Sequence, residues 1–230
     1  MPAQHFKYPN RPESEKLETL KKVAKPPKFS TNPAAVRTRR AYFDFRHGQL
    51  HVRTAFPTTG GFDEQVTLFC LHGAQGSSRN FARLLPEIAD VRSVYAPDLP
   101  GCGESDPSPN ATIGEAARAV ADLAAELRLR QIDLLGMHTG AAVSLELAAA
   151  KPDLVRRLIL IGVPSADRLP TVKQPTLVMR NRMEGLEGLP RTKEALPNAR
   201  FVEVDHAHDL FEAAPEVLVK QVDAFLSGRT

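Results

Sequence analysis

The chain has 230 residues, of which 42% are hydrophobic and 25% charged, with only two cysteines and a formal net charge of +3. Such a chain can bury its own core as one domain with or without a short appendage. Two cysteines, Cys70 and Cys102, exclude a disulfide-stapled scaffold. No apolar run approaches the roughly 20 residues of a membrane-crossing helix. The first sixteen residues hold no apolar signal core, so a cytoplasmic protein with free thiols is the expectation.

The charge is unevenly spread. Residues 1–40 carry ten Lys/Arg against three Glu, and the remainder carries 20 basic against 24 acidic residues. The sequence therefore reads as a basic arm, residues 1–39, followed by one domain over residues 40–230. A basic arm can serve nucleic acid or an anionic membrane, but no aromatic interleaving or binding motif supports either use here. Within the arm, Pro12 stands at a plausible first helical position and Leu17, Leu20 and Val23 fall at helical spacing. A helix that short needs a docking surface, either a partner, a second copy or the chain's own domain.

From about residue 40 the pattern changes. RAYFDF and QLHVRTAF alternate around His47-Gly48 and predict a hairpin. VTLFCLHG (66–73) predicts a buried strand, residues 77–90 a helix, and RSVYAPD (92–98) a strand. Residues 111–129 predict a helix, IDLLGMH (132–138) a strand and TGAAVSLELAAA (139–150) a helix. Strands follow at 155–164, 175–181 and 199–205, and an amphipathic helix at 215–228. Apolar strands alternating with helices imply an α/β fold, with a mostly parallel sheet covered on both faces. Ligand sites in such sheets lie beyond the carboxyl ends of the strands.

Three segments stand at those ends. The first, His72-Gly73-Ala74-Gln75-Gly76, has small residues whose N–H groups could face an oxyanion, or is simply a glycine turn. The second, residues 98–106, is a tight loop; its Cys102 has no neighbouring base and reads poorly as a nucleophile, while Cys70 reads as core. The third, Gly136-Met137-His138-Thr139-Gly140, places one residue between glycines on a sharp strand-to-helix turn. That is the pattern of a nucleophile elbow, G-x-S-x-G, with histidine where serine is usual.

With LHGAQGS, DLPGCGESDP and LLGMHTGAAVSLELAAAKPDLVRRLILIG in this order, the chain from about residue 40 onward resembles α/β-hydrolase-fold proteins of the esterase, enol-lactonase and haloperoxidase-like type. The resemblance implies a catalytic acid nine residues past Pro175, which is Glu184, with Asp167 as the alternative. It implies a histidine seven residues before Pro215-Glu216, which is His208. Ala207 stands where the family has glycine, and His206 is a substitute by register slip. The implied catalytic set is His138, Glu184 and His208, with Ala74 and Thr139 supplying oxyanion N–H groups and a small acyl compound as substrate. No cofactor is implied. His206-Ala207-His208-Asp209 resembles a zinc pattern but lacks its further histidine.

Histidine at the elbow leaves three readings. Neutral His138 acts as base or nucleophile on an ester, thioester or lactone. Or the nucleophile is lost and the protein is a non-catalytic binder. Or His138, His208 and Glu184, with His72, hold a metal. The family also inserts a helical cap between its sixth and seventh strands. Only about ten residues are available for it here, a length typical of simple connections, so the cap is expected to be absent and the pocket open.

Overall fold

The computed structural model describes residues 36–57, 65–162, 172–181, 192–194, 196, 199–204, 211 and 215–228. The chain divides into two compact units, residues 1–33 and 34–230, and every described residue belongs to the second. The helix expected in the arm, together with Asp167, Glu184, His206 and His208, lies outside the described residues.

Eight strands form one sheet in the order β1-β2-β4-β3-β5-β6-β7-β8. They are β1 Val36–Phe45, β2 Gly48–Pro57, β3 Leu68–Leu71, β4 Val94–Pro97, β5 Ile132–Met137, β6 Val155–Ile161, β7 Thr176–Asn181 and β8 Arg200–Val204. β1 and β2 form the hairpin read from the alternation, turning at Arg46-His47, and β2 runs antiparallel to β4. All other pairs are parallel. β6 and β7 are separated by fourteen residues, 162–175.

The parallel strands are apolar on both sides because both faces are covered. Helices α2 (Ile113–Glu126) and α3 (Thr139–Ala150) lie on one face, sharing a core with Phe69, Leu71, Leu134, Leu158 and Val178. The opposite core joins Cys70, Leu135, Ile159, Leu177 and Met179 to residues of α1 (Leu84–Ile88) and α4 (Pro215–Leu226). α2 starts where Thr112 caps it, its hydroxyl accepting from the Glu115 N–H. Arg157 on β6 donates to the Phe225 and Leu226 carbonyls, closing the end of α4 against the sheet.

One helix departs from its expectation. Residues 77–90 form a single 3-10 turn, Ser78–Phe81, followed by the short α1. Ser77 and Asn80 make a reciprocal capping box that closes the first turn on itself. Pro86 then lacks the N–H that would bond one turn back, so apolar spacing alone could not sustain one continuous helix.

A β-bulge between β5 and β6 pairs Asp133 with Arg157 and leaves Arg156 extra. The two consecutive arginines thereby take separate tasks. Arg157 closes α4, while Arg156 grips Asp133 with two bonds of 2.9 and 2.5 Å. Asp133 also receives Arg92 at 3.4 Å; Asp133 and Arg92 are 0% and 1% exposed. Such a cluster gains little over an apolar substitute, but removing the one carboxylate leaves the buried Arg92 charge with only the neutral Val66 carbonyl and Gln65 amide oxygen as acceptors. Asp133→Ala should therefore lose about 3–5 kcal/mol in urea denaturation. A midpoint equal to wild type would show that Arg92 does not depend on this carboxylate.

Candidate active site

The third sequence landmark folds into a strand–turn–helix junction. β5 ends at Met137, α3 begins at Thr139, and His138 between them has φ 48° and ψ −109°. Only a few per cent of non-glycine residues take positive φ, and the cost is of order 1–3 kcal/mol. Bonds on both sides hold it there. The His138 N–H donates to the Ile161 carbonyl at 2.9 Å, and the His138 carbonyl accepts from Ala141 and Ala142 at 3.0 and 3.2 Å.

The junction depends on backbone approach that only glycine permits. A Cβ on Gly140 would collide with the Leu71 carbonyl of β3. Gly162, at the end of β6 with φ +85°, faces the imidazole; a Cβ there would stand 2.7 Å from His138 Nδ1 and 3.0 Å from Cε1. On the other side a Cβ on Gly73 would lie 3.6 Å from Cδ2. The ring stands in a slot between the ends of β3 and β6, its Nδ1 edge towards Gly162. The Cδ2 edge of the ring faces Gly73, and the side chain is exposed.

The first landmark forms the adjoining loop. The Gly76 N–H donates to the Gly73 carbonyl at 3.1 Å, closing a turn in which Gln75 has φ 55°. Among the described residues, neither the Ala74 N–H nor the Thr139 N–H has a hydrogen-bond acceptor. The first N–H groups of a helix are unpaired by construction and carry partial positive charge.

His72 sits beneath this loop, fully buried. The Leu99 N–H donates to Nε2 at 2.9 Å, so the ring carries its proton on Nδ1, which donates to the Gly73 carbonyl at 2.8 Å. Both nitrogens are spent, which corrects the reading of His72 as a metal ligand. Burial pushes its pKa below the ordinary histidine value. Among the described residues no three His, Cys, Asp or Glu side chains gather as a metal site.

The second landmark is fastened by Asp98, 2% exposed. Its carboxylate accepts from the Ser78 N–H at 2.5 Å, the Glu104 N–H at 2.9 Å and His51 Nδ1 at 2.9 Å. Burial alone would raise this carboxyl; the N–H groups and His51 outweigh it and hold its pKa below the usual value. Asp98 thus joins the loop after β3 to the loop after β4, and His51 ties both to β2. Nothing in the sequence pattern pairs His51 with Asp98; a histidine within the strand-spaced QLHVRTAF is its only signal. Cys102 adjoins this loop with its thiol pKa raised, by burial first and by Asp98, which opposes nucleophilic use. Burial likewise raises Cys70.

The structure therefore brings His138, Thr139 and Ala74 to one edge. Glu184 and His208 are not placed by it, and neither are Asp167 and His206. A cavity of about 740 Å³ lined by Val66, Thr67, Ser93 and Gln131 lies at the opposite, amino end of the strands, away from His138.

The fold agrees with comparisons to known proteins. A family model described as alpha/beta hydrolase fold matches residues 66–192, and the chain belongs to that family. It is 36% identical over 97 residues to pyrrolizixenacetamide deacetylase of Xenorhabdus hominickii, covering 41% of this chain and 36% of that protein. It is 26% identical over 189 residues to a 2-hydroxy-6-oxononadienedioate/2-hydroxy-6-oxononatrienedioate hydrolase of Pseudomonas, covering 80% of this chain and 60% of that one. The chain spans less than two thirds of either relative. Among solved structures, carboxylesterase CesB of Bacillus subtilis superposes with a TM-score of 0.72 at 18% identity, over 84% of this chain and 92% of that one. The relatives include proteins named hydrolase and esterase, and the mostly parallel eight-stranded sheet is the hydrolase fold. Among the described residues no helix is long and apolar enough to cross a membrane.

Two outcomes test the packing of the site. Gly162→Ala should displace the His138 ring and cost about 1–3 kcal/mol, because it adds both a collision and backbone strain; an unmoved His138 side-chain NMR signal with unchanged stability would contradict the slot. His72 has a lowered folded pKa, so the unfolded chain binds its proton first as pH falls. Its contribution to stability is whole above about pH 6.5 and declines below it. Urea midpoints measured downward from neutrality should fall, and His72→Asn should lose that part of the slope.

Proposed function

We propose that this chain is a hydrolase of carboxylic esters, thioesters or lactones in which His138 serves as base or nucleophile. The observation that carries the reading is the strained backbone at residue 138. It presents an exposed imidazole beside the Ala74 and Thr139 N–H groups, which have no acceptor among the described residues. Strain of this kind at an exposed polar side chain is a reason to infer function. Relatives named carboxylesterase, deacetylase and hydrolase support acyl chemistry in general.

On the nucleophilic route, the lone pair of neutral His138 bonds to the carbonyl carbon and the C=O pair moves to oxygen. The Ala74 and Thr139 N–H groups, at the amino end of α3, would hold that oxyanion. Collapse re-forms the carbonyl, breaks the bond to the alcohol oxygen and leaves an acyl-imidazole. The ring proton passes to His208, supported by Glu184 or by Asp167, and the departing alkoxide takes up a proton. Water then adds to the acyl carbon and releases acid and imidazole. One ester and one water give one acid and one alcohol. On the base route, His138 takes a proton from water, the hydroxide attacks, and the imidazolium returns the proton to the alkoxide.

Short p-nitrophenyl esters test the proposal. Wild type should turn over, and His138→Ala should lose about 10²–10⁴-fold in kcat/KM. Hydroxylamine should trap an acyl group only on the nucleophilic route, and a serine-directed phosphonate should not label the protein. If wild type equals His138→Ala while His138→Ser gains activity, His138 is not the catalyst and the non-catalytic binding reading takes its place.

A further inference from the structure

Beside the Gly73–Gly76 turn lies a second cavity, of about 380 Å³. Among the described residues it is lined by Gln75, Ser77, Arg79, Asn80, Arg83 and Phe211, together with Gly76. We infer that this cavity is the subsite for the distal end of the acyl chain and that it selects acyl groups ending in a carboxylate. The inference rests on the hydrolase reading for the position of the reacting carbonyl, but binding to the cavity does not require turnover.

Position comes first. Gly73 flanks the His138 ring, and Gln75 is two residues further on, so their Cα atoms are within about 7 Å. Hydrogen bonding within the turn keeps this path short. A substrate whose carbonyl lies at the Ala74 N–H therefore has the cavity next to it along the same loop.

The lining chemistry comes second. The apolar part of the lining is Phe211, 3% exposed and set edge-on to Phe81 with ring centroids 5.2 Å apart. The described lining carries the guanidinium of Arg79 and that of Arg83, which has an interaction of its own, so the anion-binding role falls to Arg79. Asn80 uses its Oδ1 to accept from the Ser77 N–H, so its other polar side-chain atom is an NH₂ donor. Arg79 is paired with Glu104 at 3.5 Å, in a pair 74% and 40% exposed. A pair that open contributes little, so a ligand carboxylate can take the place of Glu104 at small cost. An apolar ring beside the Arg79 guanidinium and an amide donor fits a chain of methylenes ending in an anion, held by charge-assisted bonds to guanidinium.

The test separates this subsite from catalysis. Calorimetric titration uses two amides that resist turnover, adipic acid mono-anilide and the uncharged hexananilide, on the full chain. The mono-anilide should bind at least about tenfold more tightly, and the difference should shrink in high salt. Arg79→Gln should lose about tenfold for the mono-anilide and nothing for hexananilide, Arg79→Lys should recover part of the loss, and Arg130→Gln, at the far end of the sheet, should bind as wild type. Equal binding of the two amides, no binding of either, or equal loss of both in Arg79→Gln would overturn the subsite. Selective binding without turnover of the matching p-nitrophenyl esters would leave the subsite standing and remove only the hydrolase reading.

Discussion

The backbone of residue 138 is the constraint on which the site depends. A parallel strand must hand the chain directly to a helix that packs back over its neighbours, and the approach is so close that Gly140 touches the β3 carbonyl wall. Residue 138 is left in a conformation that an L-residue adopts only under restraint. The bonds to Ile161 on one side and from the first turn of α3 on the other supply it. The same geometry lifts the side chain above the sheet and leaves the first N–H of α3 without an acceptor among the described residues. Exposure of His138 and polarity at Thr139 thus have one cause.

Buried polar groups hold the surrounding loops. Neutral His72 joins the turn after β3 to Leu99. Asp98 joins the same region to Glu104 and to His51 on β2. Loops at a sheet edge would otherwise be the mobile part of the fold. The loops after β3 and β4 are tied by charge-assisted or buried bonds that fasten the Ala74 side of the site to the sheet. The two histidines and the aspartate are therefore structural, although their residue types alone suggest a catalytic set.

Much of the fold was legible in the sequence. Runs such as VTLFCLHG and VRRLILIG have the length and composition of strands buried on both faces, and TGAAVSLELAAA becomes α3 with the same bounds. The failure at 77–90 has a local cause: the Ser77–Asn80 capping box and Pro86 compete with apolar spacing that by itself favours a helix. The clustering of His138, Thr139 and Ala74 was legible because strand-end position in a parallel sheet is a topological consequence of the pattern. The role of His51 and the loss of His72 as a ligand were not legible. They depend on which atoms face which across elements distant in sequence.

The sequence by itself determined the α/β architecture, the glycine-flanked junction and the presence of an imidazole at its apex, because periodicity and glycine placement act locally. Only the tertiary structure decided how that imidazole is held, between Gly73 and Gly162 with Nδ1 towards β6. It also decided which neighbouring polar groups are spent on the scaffold and which remain available. The reason is physical: whether a donor or acceptor is satisfied depends on partners brought together by packing, and no spacing rule along one chain records that.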